Sequence, residues 1–372
     1  MGEAFLLIFI DPLMKDSYNV IGMMSGTALD GLDIACCNLT QSDGDWAFEL
    51  LVAESIGYSK EWHNKLKDAI HSNIDAIDPL HQLYGKWLGE EAKKFIDKHG
   101  IDVDFIASHG HTIFHQPEDG ITVQIGSGQQ IANITGKKVI CDFRKLDVSL
   151  GGQGAPLVPI GDELLFSDYL ACINMGGIAN ISYKINGERI AFDTGMANML
   201  LNYLTLQIGK PYDESGLLAK SGKVDSYLLE ELNNLDYHKL PYPKSTGYEW
   251  FLSDVQRVVD NSDISIIDKL ATSVEHEAMQ LGYVLDQFAS EQGEVLVTGG
   301  GAFNAYFIER LKYYTPGNLK IVVPDKDVIE YKEAIVFALI GVLRLHNEVN
   351  TLKSVTGASL DSSGGEIFEP MI

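Results

Sequence analysis

Three glycine-rich turns, each at the end of an apolar run, are the first places where this chain offers chemistry. They lie at 22–31 (Gly-Met-Met-Ser-Gly-Thr-Ala-Leu-Asp-Gly), at Gly176 and Gly177, and at Gly299, Gly300 and Gly301. Glycine after a strand lets neighbouring backbone N–H groups point into a concavity where no Cβ keeps an anion out. None of the three has the G-x-x-x-x-G-K-[ST] or G-x-G-x-x-G spacing, which excludes a Walker P-loop and a Rossmann fingerprint. Any one of them alone reads as a plain tight turn. Three together, the last opening a helical stretch, point to nucleotide phosphate. Ser25 and Thr27 add hydroxyls, and Asp30 and Asp33 add carboxylates able to hold hydrated Mg2+. Asp30 in an isolated hairpin reads equally well as a turn residue.

Asp193 stands in Ala191-Phe-Asp-Thr-Gly195, at a strand end just before a helical stretch from about Ala197. A helix N-terminus favours a carboxylate, so Asp193 is expected to be ionised at pH 7 and available as a general base. The competing reading is an N-cap or turn aspartate. Ser108-His-Gly-His-Thr-Ile-Phe-His115 contains a His-x-His step, which on a strand puts His109 and His111 on one face. Metal sites use that spacing, but no further Asp, Glu or His cluster accompanies it. Substrate contact at a strand end is therefore preferred, with solvent-facing histidines as the plain alternative. Cys36, Cys37, Cys141 and Cys172 lack C-x-x-C spacing, so neither zinc nor a disulfide framework is indicated and a reducing compartment fits.

The elements that must position these residues follow from apolar periodicity. Runs at 19–25 and 30–39 bracket Gly26 and Gly31 as a β-hairpin, and 48–54 supplies a third strand. A helical stretch covers about 60–99, broken near Pro79, and strands are expected at 103–107 and 121–125. A second set begins at 170–175 and 178–183, with a short strand at 189–192. Residues 264–289 carry an apolar stripe at steps of three and four, the mark of a core-facing helix. A strand at 294–298, a helical stretch at 302–313 and a last helix at 330–347 complete the pattern. The segments beginning at Ile21 and Ile173, 152 positions apart, both enter a glycine turn from a strand and leave as a second strand. That echo suggests two domains on one plan.

Composition sets the outer limits. The chain has 372 residues, 45% of them hydrophobic, enough for two or three domains at about 100–200 residues each. With 28 Lys+Arg against 52 Asp+Glu the formal net charge is -24, which argues against nucleic acid and anionic membrane as partners. Any phosphate-rich ligand must be held by backbone amides and metal. Residues 5–10 form an apolar run preceded by Glu3 and no basic residue, too short for a membrane span and wrongly flanked for a signal peptide. They read as part of an N-terminal extension, 1–17.

Taken in order, the motifs resemble the anhydro-N-acetylmuramic acid kinase family of the sugar kinase/heat-shock chaperone/actin superfamily, from about Val20 to Leu345. Residues 22–33 look like its first phosphate motif, Asn174-Met-Gly-Gly-Ile-Ala-Asn180 its second, Phe192-Asp-Thr-Gly195 its catalytic segment and Thr298-Gly-Gly-Gly301 its adenosine segment. Ser108-His-Gly-His-Thr112, Phe143-Arg144 with Asp147, and Gly151-Gly-Gln-Gly-Ala-Pro156 are similar to its sugar-side segments, and Lys332-Glu-Ala334 opens a helix typical of it. Four positions depart from the pattern: Ala28 for Ser, Met196-Ala197 for Pro-Gly, and Tyr248 for Arg.

The resemblance implies two actin-like (ribonuclease H-like) α/β domains, each with a mixed five-stranded sheet, around a central cleft. The expected borders are 18–141 plus 348–372 for the first and 142–347 for the second. It implies a cytoplasmic enzyme of peptidoglycan recycling that uses ATP, Mg2+ and water to convert 1,6-anhydro-N-acetylmuramic acid into N-acetylmuramic acid 6-phosphate. Alternatives are a kinase of another anhydro or amino sugar, or a non-catalytic binding member of the fold. The implied roles are Asp193 as base, and Gly26, Thr27, Ala28, Leu29, Asp30, Gly31, Leu32, Asp33, Asn174, Gly176, Gly177, Gly299, Gly300 and Gly301 for the nucleotide. Asp30 would hold Mg2+ through water. His111, Arg144, Asp147, Gln153, Gly154 and, from the other domain, Glu333 would meet the sugar, with Arg144 on its lactyl carboxylate. Partners are small molecules, with a homodimer possible.

Overall fold

The computed structural model describes residues 15, 17–26, 29, 31–242 and 244–371. Thr27, Ala28, Asp30 and the apolar run at 5–10, singled out above, lie outside the described residues. The strands are β1 (Ser17–Ser25), β2 (Gly31–Ser42), β3 (Asp45–Gly57), β4 (Phe105–Gln116), β5 (Ile121–Ile125), β6 (Lys138–Cys141), β7 (Ala171–Met175), β8 (Ile178–Ile185), β9 (Glu188–Met196), β10 (Gly293–Thr298), β11 (Leu319–Val322) and β12 (Glu366–Phe368).

Among the described residues they make two mixed sheets, ordered β12-β6-β4-β1-β2-β3 with β5 on β4, and β11-β10-β7-β8-β9. In the first, β4 and β6 run parallel to β1 while β2 and β3 continue as an antiparallel meander. In the second, β10 and β11 run parallel to β7, and β8 and β9 form the meander. The core of both sheets has one plan, as the echo between Ile21 and Ile173 predicts. The five-stranded expectation holds for the second sheet only. The first gains β5, which folds back antiparallel on β4, and β12 on β6.

Contacts cluster into two compact units: the described residues up to Leu165 with those from Glu333 on, and Phe166–Lys332. The borders at 141/142 and 347/348 expected from the sequence move accordingly. The strand β12 pairs with β6, and the loop after β6 is hydrogen-bonded to Thr356, so both belong with the first sheet. Strand β1 is buried along most of its length, and helix Lys326–Leu345 lies on it at Gly22, where a Cβ would fall 1.8 Å from the Ala334 carbonyl oxygen. No side chain other than hydrogen fits there.

Residues 60–99 form two helices, Lys60–Ala69 and Asp78–His99. Pro79 stands in the first turn of the second, where a missing N–H breaks no intrahelical bond. The stripe at 264–289 becomes helix Ile266–Leu285, N-capped by Ser265 accepting from the Asp268 N–H. It buries Leu270, Val274, Ala278, Leu281 and Leu285 in the core of the second unit. Among the described residues no helix is long and apolar enough to cross a membrane.

Candidate active site

In the first unit, the end of β1 at Ser25 is anchored by a polar chain. The Ser25 hydroxyl meets His111 Nδ1 at 2.8 Å and the Tyr58 hydroxyl at 2.5 Å, and Tyr58 meets the Tyr84 hydroxyl at 2.6 Å. Burial lowers His111 to about 4, so the ring is neutral at pH 7. Gly26 needs no glycine for packing, since a Cβ there would meet nothing within 4 Å. Leu29 follows with φ +58 and donates its N–H to the Gly26 carbonyl. Gly31 starts β2 against the Ile56 carbonyl. The Leu32 side chain is in the core at 1% exposure, so only its backbone is left for a ligand. Asp33 accepts from the Ser55 hydroxyl on β3 at 2.5 Å.

His109 and His111 do not act as one pair. The register of β4 against β1 shifts around Gly110, whose φ is +73, and the two rings engage separate partners. His109 gives Nδ1–H to the Gly110 carbonyl and accepts from Arg144 Nε at 2.9 Å, which fixes its neutral tautomer. Burial, then the Arg144 charge, holds it well below the usual histidine range. Arg144 also donates Nη1 to the Gly154 carbonyl at 2.5 Å. Two of a guanidinium's five N–H groups are thus committed, and the fork expected to grip a carboxylate keeps only hydrogens on Nη1 and Nη2. Glu333 and Asp147 are the negative groups that favour its charge. Glu333 lies in the same compact unit as Arg144, not in the other one as expected, because its helix packs on β1.

Asp147 is placed differently from a sugar ligand. It is 1% exposed, and its two oxygens accept from the Gly154 N–H and the Thr356 hydroxyl, each at 2.7 Å. Its carboxylate clamps the glycine loop to the chain's C-terminal segment. Gln153 gives its N–H to the Thr356 carbonyl and keeps an exposed side chain. Thr356, Tyr58 and Tyr84 carry no motif in the sequence; only the fold assembles them.

In the second unit, β7 runs into Gly176 and Gly177, whose carbonyls accept the N–H groups of Ala197, Asn198 and Met199 at the start of helix Asn198–Leu206. Asn198 adds side-chain bonds to the Met175 and Gly176 carbonyls. Met196-Ala197, which replaces Pro-Gly, therefore still enters the helix with its first N–H groups paired. The turn after β10 packs on the same place. Gly299 has φ +79, and a Cβ on it would lie 2.6 Å from Asn174 Oδ1. A Cβ on Gly301 would lie 2.6 Å from Met175 Cβ. Gly176, Gly177 and Gly300, by contrast, would meet nothing closer than 3.4 Å. The second and third glycine turns thus adjoin, and their open glycines suit the approach of a phosphate chain.

Asp193 lies within β9, which continues to Met196, so it is not a helix cap. The β8–β9 register shifts between Ala179 and Asn180: Ala179 faces Gly195 and Asn180 faces Asp193, leaving Thr194 as the extra residue of a bulge. Asp193 Oδ2 accepts from the Thr246 N–H at 2.9 Å, its own N–H goes to the Lys244 carbonyl, and Tyr237 donates to its carbonyl at 2.8 Å. Burial outweighs the Thr246 bond and raises the carboxyl to about 6, opposite to the helix-dipole expectation. It is still mostly ionised at pH 7. The segment from Lys244, noted above only for its departure at Tyr248, is what holds this aspartate.

Among the described residues no three His, Cys, Asp or Glu side chains converge as metal ligands.

The model of the family "Anhydro-N-acetylmuramic acid kinase" matches residues 18–370. The chain belongs to that family. A protein of that name from Sulfurimonas denitrificans is 34% identical over 374 residues, covering 94% of this chain and 99% of that protein. One from Vibrio cholerae is 35% identical over 366 residues, covering 94% and 98%. Membership makes the chain a sugar kinase that uses ATP.

Proposed function

We propose that this anhydro-N-acetylmuramic acid kinase opens the 1,6-anhydro bridge of its sugar with water and moves the γ-phosphoryl group of ATP to O6. Asp193 takes a proton from the water that attacks the anomeric carbon. The bond from that carbon to the bridging oxygen breaks, the freed oxygen bonds to the γ-phosphorus, and ADP leaves. The observation that carries the reading is Asp193 itself, a half-buried carboxyl held by the Thr246 N–H and raised to about 6, near the pH at which a base must give and take protons. A phosphoryl transfer asks the protein chiefly for positioning and charge stabilisation. Gly26, Gly176, Gly177 and Gly300 would supply backbone N–H groups for the phosphates, and the Asp33 carboxylate is among the groups that could orient a hydrated Mg2+. Mg2+, when bound with ATP, neutralises phosphate charge, which a chain of net charge -24 does not do by itself.

His111 and Arg144 would face the sugar, with the free Nη1 and Nη2 hydrogens of Arg144 on the lactyl carboxylate. Asp147 is assigned a positioning role, holding Gly154 where the Arg144 guanidinium needs it. An ATP requirement and four buried free thiols fit a cytoplasmic enzyme. The test is ADP release coupled to addition of 1,6-anhydro-N-acetylmuramic acid, with the product analysed for a 6-phosphate. ADP release indifferent to that sugar, or a product lacking the 6-phosphate, would sink the proposal.

A further inference from the structure

Behind the bulge that carries Asp193, helix Ile266–Leu285 presents a polar patch to β8 and β9. A cavity of about 10 Å3, room for the centre of one water, is lined by Ala179, Thr194, Gly195 and Met196 on the strands and by His276, Glu277 and Gln280 on the helix. Glu277 is 4% exposed, and neither carboxyl oxygen has a hydrogen-bond partner among the described residues. A buried, unpaired carboxylate is too costly to keep ionised, and burial alone drives this group well above the carboxylate range. It is a neutral acid with an O–H to donate and a carbonyl oxygen to satisfy.

The neighbouring side chains do not provide those bonds. His276 gives Nδ1–H to Asn233 Oδ1 at 2.7 Å, and Gln280 donates to the same oxygen at 2.8 Å. The His276 ring packs against His238 at 4.9 Å. Both histidines are held below their usual range, chiefly by burial, so neither offers Glu277 a cation at neutral pH. The Thr194 hydroxyl donates to the Ala179 carbonyl at 3.2 Å and keeps lone pairs to accept with. Buried polar groups around a cavity of this size are what internal waters satisfy, with two to four bonds each.

We infer that this cavity binds one water molecule bridging the Glu277 carboxyl to the Thr194 bulge, and that Glu277 acts through it as a positioning residue for Asp193. The water accepts from the Glu277 O–H, donates one hydrogen back to the Glu277 carbonyl oxygen and the other to the Thr194 hydroxyl oxygen. A bulge re-aims the side chain beside it, and Thr194 is the residue next to Asp193. Helix Ile266–Leu285 is thereby tied to the direction in which the catalytic carboxyl points. The positioning role rests on the proposed function; the water site does not.

Two measurements test it on the full-length protein. A crystal structure of resolution sufficient for ordered solvent is expected to show one water in contact with Glu277 and Thr194; a dry cavity, or Glu277 turned out to solvent, overturns the inference. In kinetics, Glu277→Leu is expected to lower kcat at least about tenfold, with KM for ATP and sugar within about twofold and the pH midpoint displaced, while Glu277→Gln recovers kcat to within about threefold of the parent. Unchanged turnover in Glu277→Leu, or equal loss in both variants, overturns the positioning role. If Glu277→Leu does not fold, the solvent density decides. A parent enzyme inactive on the sugar would defeat the proposed function and leave the water site to be judged by density alone.

Discussion

A single aspartate gives the sharpest tests at the scale of residues. If Asp193 is the base, Asp193→Asn loses about three orders of magnitude or more in kcat while ATP binding stays near that of the parent. Burial raises this carboxyl from 3.8 to about 6, and a base works when deprotonated. Activity of the parent is therefore expected to rise with pH through a midpoint near 6 and level off above it. The stability effect has the opposite sign. A raised carboxyl pKa means the folded state holds its proton longer than the unfolded state, so ionisation works against folding above about 6 and has no effect below the unfolded value. Asp193→Asn should melt at the same temperature as the parent or higher at pH 7.5, and the difference should vanish near pH 3.5. A variant that melts well below the parent at pH 7.5 would make Asp193 a structural residue. A second test concerns Asp147, whose two oxygens each hold one partner. Asn offers one acceptor, so Asp147→Asn should lose about 1–3 kcal/mol of stability and raise KM for the sugar more than KM for ATP, measured by thermal melting and initial rates.

Elements explain why some of this was readable in the sequence and some was not. The hairpins β1–β2 and β7–β8 and the long helix behind β9 are local patterns, and local patterns survive translation into structure. The true edges of the first sheet were hidden, because β12 is three residues long and its partner β6 lies more than 200 positions away in sequence. The support of Asp193 was equally hidden: Thr246 reaches it through a backbone N–H, which any residue except proline would supply. The glycine turns were legible as turns, but only the fold separates glycines that the packing demands from glycines it does not. That division predicts two opposite outcomes. Gly299→Ala places a Cβ against Asn174 at φ +79, and strain and overpacking at about 1–3 kcal/mol each should destabilise the protein. Gly177→Ala meets nothing closer than 3.7 Å, so stability should stay within about 1 kcal/mol of the parent while KM for ATP rises severalfold. Melting curves and ATP titrations of the pair check this; an unaltered KM in Gly177→Ala removes that turn from the phosphate site.

At the scale of the whole molecule, the second unit is one continuous segment, Phe166–Lys332, and the first is assembled from both ends of the chain. The tail reaches back as β12 on β6 and as Thr356 on Asp147. Ending the chain after Asn347 should therefore abolish sugar binding and the cooperative melting of the first unit, whereas a fragment of residues 166–332 should still melt cooperatively. Equal behaviour of the truncated and full chains would show the tail to be dispensable. The same arrangement bears on how the protein is made. Between Leu165 and Leu345, where the helix over Gly22 ends, 345 − 165 = 180 residues must be translated, roughly 9–36 s of synthesis at about 5–20 residues/s. For that interval the nascent first sheet waits without the helix that covers Gly22, its apolar surface open to chaperones, while the inserted unit completes itself first. The unit that begins later in the chain is thus the first whose residues are all available to fold.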